Sequence, residues 1–219
     1  MLNIIIPVYR SCETLAELHF RLKKLNYPLE ILFVNDASPD SSLQELYKLA
    51  QVDPAVRIIS LAKNSGQHRA VLAGLKESTG GFLVILDADL QDPPEEIPTL
   101  LRHLEKGYDA VFAGRCGLYQ SRLRLLTSTL FKFCLHRLCN VPRDAGMFVA
   151  LTRKMAQTIL TIPMKRPYIV SLIGLSQLPI TSIPIERAAR AQGKSAYTSW
   201  MRLKLALSIL YHTKRAKRV

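Results

Sequence analysis

Residues 82–95 read FLVILDADLQDPPE. The apolar run 82–86 is short and continuous rather than alternating, so it predicts a strand that is buried on both faces. Two carboxylates and an amide, Asp87, Asp89 and Gln91, follow this strand directly. A strand end and its turn can aim their oxygens at one point, and hard oxygen donors suit Mg²⁺ or Mn²⁺, particularly a cation shared with a diphosphate.

The same acidic residues have a simpler interpretation, because acids after a strand often cap the next helix. Asp92 stands directly before Pro93 and Pro94, and proline is favoured in the first turn of a helix. We therefore expect Asp92 to be the cap. Asp87 and Asp89 precede that cap, which favours the metal-binding interpretation for those two.

The first half of the chain alternates short apolar runs with helical patterns. This alternation is typical of βαβ units, and so predicts an α/β fold with a mainly parallel sheet. Strands are expected at 3–8, 30–35, 56–61, 82–86 and 110–113. Helices are expected at 12–26, from just after Pro39 to 49, at 67–77 and at 94–105.

In open α/β sheets, ligands bind beyond the carboxyl ends of the strands. Polar clusters stand at four such ends here, after residues 8, 34, 61 and 86. Their agreement is stronger evidence for a site than any one of them. The turn after the first strand lacks the Gly-x-Gly-x-x-Gly pattern, which argues against a dinucleotide-binding dehydrogenase.

The second half is less regular. It predicts a basic helix at 120–139, a strand at 147–151, helices at 153–161 and 168–176, and a strand at 178–185. A polar loop at 187–197, a helix at 198–213 and a basic tail at 214–218 follow. Because no Gly/Ser-rich linker separates the halves, we expect one domain with an extended second part.

Charge is distributed unevenly along the 219 residues, whose net charge is +13. Residues 1–109 contain 11 basic and 15 acidic side chains, whereas residues 110–219 contain 19 basic and 2 acidic ones. Such asymmetry favours a polyanionic partner for the second half, such as nucleic acid, an anionic membrane or a phosphorylated substrate. A solvated basic surface is the alternative.

Location can also be predicted from composition. Four cysteines in a chain of this length do not make a disulfide framework and fit a reducing compartment. The first residues lack a basic leader, and the uncharged run 168–185 is interrupted by prolines, which favours a core segment over a membrane span. We expect a cytoplasmic protein.

Several motifs together resemble family 2 glycosyltransferases of the GT-A fold, in the branch of dolichyl-phosphate mannose synthases and bactoprenol-phosphate glycosyltransferases. The matching stretches are IPVY at 6–9, VNDASPDSS at 34–42, KNSGQHRAVLAGL at 63–75, DADLQDPPE at 87–95, GR at 114–115, DAGMFVALTR at 144–153 and RAQGKSAY at 190–197. The resemblance implies a GT-A domain at 1–197, with a nucleotide-binding half up to about 115, an acceptor-binding half at about 116–197, and a basic amphipathic helix and tail at 198–219.

The resemblance also implies an inverting transfer of a hexose from a UDP- or GDP-sugar to a polyprenyl phosphate, assisted by Mg²⁺ or Mn²⁺. The implied donor-nucleotide site comprises Pro7, Tyr9, Asp36, Ser38, Asn64, Gly66, Asp87 and Ala88. The implied metal ligands are Asp87, Asp89 and Gln91. The implied phosphate and acceptor contacts are Arg115, Arg124, Ser128, Arg190 and Lys194. The implied catalytic residues are Asp89 and Asp144.

The chain departs from the family pattern in two places. Arg10 and Ser11 follow Tyr9 where the family often has Asn-Glu, so a nucleotide contact is lost or comes from elsewhere, for example from Glu13. Many bacterial relatives continue into two transmembrane helices, whereas this sequence ends after one amphipathic helix and KRAKR, as soluble members do. That helix fits the surface of an anionic membrane, or alternatively packs on the domain or on a second subunit of a homodimer.

Three functions remain open at this stage. A lipid phosphate is largely ionised at neutral pH and needs orientation more than a base. A hydroxyl on a cell-surface polysaccharide intermediate would need deprotonation, for which Asp144 or Asp89 is available, although Asp144 has a structural alternative as the partner of Arg143 or Arg153. A non-catalytic basic module is the third, and the absence of any nucleic-acid-binding motif argues against a nucleic-acid partner.

Overall fold

The computed structural model describes residues 1–116, 136, 137 and 139–186, and for Arg115 and Cys116 only the backbone. The predicted loop at 187–197 and helix at 198–213 lie outside the described residues, as does most of the basic helix at 120–139. Four of the predicted contact residues therefore fall outside them too, namely Arg124, Ser128, Arg190 and Lys194.

The first half follows the predicted alternation of strands and helices. Its elements are β1 (Leu2–Val8), α1 (Cys12–Lys23), β2 (Leu29–Asn35), α2 (Ser42–Val52), β3 (Val56–Ser60), α3 (Gln67–Glu77), β4 (Phe82–Ile85), α4 (Ile97–Leu104) and β5 (Ala110–Cys116). A short 3-10 turn, Pro94–Glu96, precedes α4. The second half supplies β6 (Val149–Thr152), α5 (Arg153–Thr161), α6 (Ile169–Leu175) and β7 (Ile180–Glu186).

Seven strands of the described chain form one sheet in the order β3-β2-β1-β4-β6-β5-β7. Strands β1 to β4 are mutually parallel, β5 and β7 pair in parallel, and β6 runs antiparallel to both of its neighbours. The mainly parallel α/β sheet predicted from the sequence is thus confirmed, with one reversed strand in its interior.

Both faces of this sheet are buried. Along β1, Ile4 and Ile6 face the layer formed by α1, α2 and α4, whereas Ile5 faces the layer that contains α3, α5 and α6. All three are fully buried. Full burial of each such side chain contributes about 1.5–3 kcal/mol, so the continuous apolar runs supply much of the stability of the fold.

Polar contacts fix the loop between α3 and β4 at the end of the sheet where β1 and β4 begin. The Oδ1 atom of Asn3 accepts hydrogen bonds from the backbone N–H groups of Thr79, at 2.9 Å, and Gly80. Arg153 donates from Nε to the Gly80 carbonyl at 2.8 Å and from Nη1 to the Ser78 carbonyl at 3.0 Å. Arg153 is therefore committed to this loop, at the edge where β4 begins.

The structure corrects one sequence expectation at the acidic turn. The 3-10 turn begins at Pro94 with Pro93 in the capping position, so Asp92 lies one residue before the cap. Asp92 is instead buried, at 2% exposure. Pro94 moves the helix start forward, because the residue before a proline is disfavoured in the helical region, and Pro93 is accordingly extended with ψ of 113°.

Within the part of the chain that the structure describes, no helix combines the length and apolar character needed to cross a membrane.

A close approach of α3 to the sheet depends on Gly74. A Cβ atom there would lie 2.5 Å from Ile5 Cγ2 and 3.1 Å from Val34 Cγ2, both of them in fully buried side chains. Alanine gains about 1 kcal/mol of helix propensity over glycine, but overpacking a rigid core costs about 1–3 kcal/mol. Because a contact of 2.5 Å lies at the severe end of that range, we expect Gly74→Ala to lower the free energy of unfolding, measured by urea titration, by a net of about 2 kcal/mol.

The matched control is Gly81→Ala, because a Cβ atom at Gly81 meets nothing within 4 Å. Its stability should stay within about 0.5 kcal/mol of wild type. Equal stabilities for the two variants would contradict the packing argument for Gly74.

Candidate active site

The strands β1 to β4 all end on the same side of the sheet. We call this side, formed by their carboxyl ends, the site edge. The register pairs Val8 with Asn35 and Asn35 with Ser60, so the turns after β1, β2 and β3 begin side by side. Strand β4 ends at Ile85, opposite Ile5 of β1. The polar clusters predicted from the sequence therefore meet where the strands end.

Asp36 organises the turn that leads into α3. It is 2% exposed, and its two carboxylate oxygens accept the backbone N–H groups of Ser65 at 2.6 Å and Gly66 at 2.8 Å. Gly66 has φ of +89°, a left-handed conformation that glycine adopts without steric cost. The predicted nucleotide contact Asp36 is thus first of all the anchor of this turn, in which Asn64 is exposed.

The acidic turn after β4 is stabilised by hydrogen bonds from α3 and α1 and by one within the turn. Asp87 Oδ1 accepts a hydrogen bond from Gln67 Nε2 at 2.5 Å. The carbonyl of Ala88 accepts from Thr14 Oγ1 at 2.5 Å, which ties the turn to α1. Asp89 Oδ1 accepts the backbone N–H of Gln91 at 3.2 Å, and Leu90 reverses the chain with φ of +59°. Asp87, Asp89 and Gln91 are all half-buried at the site edge, as a ligand site requires.

The donor set fits a divalent cation that is only partly held by protein. Among the described residues, no group of three or more His, Cys, Asp or Glu side chains could hold a metal ion. Two carboxylates and one amide oxygen are too few for a closed site. Mg²⁺, however, is commonly bound through one or two carboxylates together with substrate phosphates, so the residues present fit a metal shared with a diphosphate.

A network around Asp40 joins the turns after β1 and β2. Ser38 Oγ accepts the backbone N–H of Arg10 at 2.7 Å and donates to Asp40 Oδ1 at 2.5 Å. Asp40 also accepts the backbone N–H groups of Ser42 at 3.1 Å and Cys12 at 3.3 Å. Partial burial acts to raise the pKa of Asp40, but the hydrogen bonds from Ser38 and Ser42 outweigh it, so the pKa lies below its ordinary value. The hydroxyl of Ser38, a predicted nucleotide contact, is engaged in this network.

The end of β1 presents an exposed aromatic ring. Pro7 is buried within β1, whereas Tyr9 is 43% exposed at the site edge. The guanidinium of Arg10 lies 5.5 Å from the centre of the Tyr9 ring. At that distance the cation is attracted to the ring face. Glu13 is exposed in the first turn of α1.

Asp144 lies at the same edge but contacts different strands. Both of its carboxylate oxygens lie within hydrogen-bonding distance of Ser182 Oγ on β7, at 2.8 and 2.7 Å. A Cβ atom at Gly114 of β5 would overlap Asp144 Oδ2, so glycine is required beneath this carboxylate. Of the two structural alternatives, Arg143 and Arg153, a pairing of Asp144 with Arg153 is wrong, because Arg153 binds Ser78 and Gly80 at the opposite end of the strands.

The start of α3 also contacts the segment before α6. The ring of His68 meets that of Tyr168 edge-on, with centroids 4.7 Å apart. Burial lowers the pKa of His68 to about 4, so the ring is neutral at neutral pH. Arg69 donates from Nη2 to the Lys165 carbonyl at 3.0 Å, and Arg69, Lys165 and Arg166 are all exposed. The contact from Arg69 brings the segment that carries Lys165 and Arg166 next to the first turn of α3.

Sequence reasoning missed four of these residues, Gln67, Asp40, Ser182 and Gly114, as partners in the site. Asp40, Gln67 and Gly114 lie within stretches that the family resemblance had already marked, at 34–42, 63–75 and 114–115. For Ser182 no sequence signal was available, because its partner Asp144 is 38 residues away in the turn before β6.

Comparison with known proteins identifies the family. The model of glycosyl transferase family 2 matches residues 3–154. The chain belongs to this family.

Two curated relatives match nearly the whole chain. An undecaprenyl-phosphate 4-deoxy-4-formamido-L-arabinose transferase of Pseudomonas fluorescens (strain Pf0-1) is 36% identical over 216 residues, which are 95% of this chain and 63% of the relative. An uncharacterized glycosyltransferase of Bacillus subtilis (strain 168) is 31% identical over 214 residues, which are 94% of this chain and 66% of the relative. The chain thus spans less than two thirds of the length of these relatives.

Solved structures share the fold. A mannosyltransferase from Pyrobaculum calidifontis, in complex with GDP-Man and Mn²⁺, superposes with a TM-score of 0.69 at 19% identity, over 100% of this chain and 64% of that one. Glucosyl-3-phosphoglycerate synthase from Mycobacterium tuberculosis, in complex with Mn²⁺, UDP and glucosyl-3-phosphoglycerate, gives 0.75 at 16% identity, over 98% and 80%. The GT-A fold expected from the sequence is confirmed.

The Asp40 network makes a prediction about pH. A carboxylate whose pKa is depressed in the folded state stabilises the fold above its unfolded pKa, and that stability is lost as pH falls through the folded pKa. Asp40→Asn removes the charge and one acceptor, so we expect unfolding at pH 7 to become easier by about 1–2 kcal/mol. The difference from wild type should shrink below about pH 4, the ordinary range of an aspartate pKa.

Denaturant titrations at pH 7, 5 and 3 on both proteins measure this difference. Glu17→Gln, at an exposed position on α1, is the control for loss of one negative charge. A difference between Asp40→Asn and wild type that is the same at all three pH values would contradict the role given to the charge.

Proposed function

We propose that this chain transfers a hexose from a UDP- or GDP-sugar to a polyprenyl phosphate, with inversion at the anomeric carbon. The observation that carries the proposal is the acidic turn at the end of β4, where Asp87 and Asp89 stand half-buried beside the turn that Asp36 anchors. Oxygen donors of this kind suit a cation that bridges to a diphosphate.

The donor end of the reaction uses the turns at the site edge. Tyr9 offers an exposed ring for a nucleotide base after β1, and Asp36 anchors the turn through Asn64 and Gly66 at the end of the neighbouring strand β2. Asp87, Asp89 and Gln91 would hold Mg²⁺ or Mn²⁺, and the cation, when bound, would neutralise charge that develops on the departing diphosphate. The solved Pyrobaculum and Mycobacterium structures, which contain Mn²⁺ with GDP-Man or UDP, support this choice of metal.

The acceptor is proposed from chemistry and from the relatives. The Pseudomonas relative is named as a transferase that acts on undecaprenyl phosphate, and it is 36% identical to this chain. A lipid monophosphate is an anion that cationic side chains can draw toward the site. Arg69, Lys165 and Arg166 are exposed near the start of α3. The sequence adds Arg115, Arg124, Ser128, Arg190 and Lys194 to these proposed phosphate contacts.

Asp144 is proposed to shape the acceptor side rather than to remove a proton. Its carboxylate faces Ser182 Oγ and packs over Gly114, which holds the segment before β6 against β5 and β7. A phosphate acceptor with a second pKa of about 6 is largely ionised at neutral pH and attacks without a base. Such a reaction does not require Asp144 to titrate.

The surroundings of the enzyme follow from the same proposal. A polyprenyl phosphate stays in the membrane, so the chain would work at the cytoplasmic face, in peripheral contact with anionic lipid. The segment 198–219, predicted from its sequence as a basic helix and tail, is proposed to supply that contact or alternatively to pack on a second subunit. We retain the division into a nucleotide-binding half at about 1–115 and an acceptor-binding half at about 116–197.

The first prediction from this proposal concerns metal-dependent nucleotide binding. A ligand that binds only the folded state raises stability by RT ln(1 + [L]/Kd), or about 2.7 kcal/mol at a hundredfold excess over Kd. We expect UDP or GDP with Mn²⁺ to raise the unfolding temperature of wild type, and neither component alone to match that rise. Asp89→Asn should abolish the metal-dependent part, because it removes an anionic ligand.

Glu105→Gln, an exposed neutralisation after α4, is the matched control and should behave like wild type. Whichever nucleotide gives the larger shift names the base of the donor. No shift with either nucleotide at millimolar concentration, in folded wild-type protein, would contradict the transferase and favour a non-catalytic basic module.

The second prediction concerns Asp144. If the acceptor is a lipid phosphate, Asp144→Asn should keep a substantial fraction of the transfer rate, with a loss below about tenfold, because removal of a catalytic base costs about 10²–10⁴-fold. The measurement is transfer of labelled sugar to undecaprenyl phosphate in detergent micelles, with the pH varied from 6 to 9.

A loss of 10²-fold or more in Asp144→Asn, together with a wild-type rate that falls at acidic pH, would assign Asp144 as a base. Absence of transfer to lipid phosphate by folded wild-type protein would favour the alternative acceptor, a hydroxyl of a cell-surface polysaccharide intermediate. Transfer to lipid phosphate alone, without any glycan, would exclude that alternative.

A further inference from the structure

The first residue of α3 connects the two ends of the proposed donor site. Gln67 follows directly on Ser65 and Gly66, whose N–H groups bind Asp36 at the end of β2. Its side chain reaches the end of β4, where Nε2 lies 2.5 Å from Asp87 Oδ1. Gln67 therefore links the turn proposed to lie beside the nucleotide with the turn proposed to hold the metal.

The position of Gln67 is closely determined by the backbone. Gly66 in a left-handed conformation turns the chain into α3, and Asp36 fixes that turn through two hydrogen bonds. The next residue, His68, is buried and packs edge-on against Tyr168, which adds a second contact that positions the start of α3. The amide of Gln67 consequently approaches Asp87 from a fixed direction.

Such a donor has a specific effect on a carboxylate that binds metal. An ionised carboxylate has two oxygens with about four lone-pair sites, so an amide N–H and a cation can bind the same group. The amide fixes the plane of the carboxylate and discourages rotation about its last bond. Outer hydrogen bonds of this kind orient metal ligands, and their loss typically weakens metal binding by about 10–100-fold.

We propose that Gln67 is a positioning residue that orients the carboxylate of Asp87 toward the divalent cation of the donor diphosphate. The inference rests on the proposed function, since it concerns the metal of that same site. It assigns Gln67 no contact with the sugar or the nucleotide. The competing explanation is a purely structural hydrogen bond that joins α3 to β4, worth about 1 kcal/mol of stability.

Two substitutions separate these explanations. Gln67→Met keeps the length of the side chain and removes the donor, and Gln67→Asn keeps the amide but shortens its reach by one methylene. Gln44→Met, at an exposed position on α2, is the matched control. Thermal unfolding first establishes that each variant is folded.

The experiment measures two affinities of the full chain. Mn²⁺ is titrated in the presence of saturating UDP or GDP, whichever stabilises wild type, and free Mn²⁺ is followed by electron paramagnetic resonance. Affinity for the same nucleotide without metal is measured by calorimetry. We expect both Gln67 variants to bind Mn²⁺ about tenfold more weakly, with metal-free nucleotide affinity within twofold of wild type. Gln44→Met should change neither.

Mn²⁺ affinity within twofold of wild type in both Gln67 variants would overturn the proposal, whatever happens to their stability. A parallel loss of metal-free nucleotide affinity would overturn it too, because Gln67 would then be a nucleotide contact. If wild type itself binds no nucleotide with Mn²⁺, the proposed function fails and the role of Gln67 fails with it. That last pattern is recognisable, because it appears in the unaltered protein.

Discussion

Burial of both faces of the parallel strands β1 to β4 is the constraint on which the rest of the structure depends. Their side chains enter two apolar layers, so the interior of the sheet leaves almost no room for polar chemistry. Polar groups are then confined to the ends of the strands, and in a parallel arrangement all carboxyl ends lie on one side. The site edge is thus a direct result of how the core is built.

At the site edge, several polar side chains form hydrogen bonds with backbone N–H groups and so stabilise the turns. Asp36 binds Ser65 and Gly66, Asp40 binds Ser42 and Cys12, and each carboxylate closes a turn. Several turns also contain left-handed residues other than glycine, among them Arg10, Ala37 and Leu90. Such conformations cost about 1–3 kcal/mol each and persist only where surrounding contacts impose them. The hydrogen bonds of the two aspartates supply part of that support.

The sequence alone predicted the succession of strands and helices along the chain well and the side-chain pairings poorly. Apolar runs report burial directly, so the strands and the acidic turn after β4 were predictable, and boundaries differ by up to three residues, as for α1, expected at 12–26 and found at Cys12–Lys23. Pairings such as Gln67 with Asp87 or Asp144 with Ser182 depend on how distant segments meet, which no local pattern encodes. Asp92 shows a different kind of error. Its residue type favours the capping position, but the 3-10 turn begins at Pro94 with Pro93 as the cap.

The reversed strand β6 has a consequence for how the chain folds. In the sheet order, β5 reaches β4 only through β6, although β5 precedes β6 by more than thirty residues. Until residues 149–152 are in place, the pair formed by β5 and β7 is not joined to β4, and β4 lacks a partner on that side. Exposed strand edges invite pairing with other chains, and non-local pairing of this kind slows folding. Strand β6 therefore joins the two parts of the sheet and also covers a side of β4 on which another chain could otherwise pair.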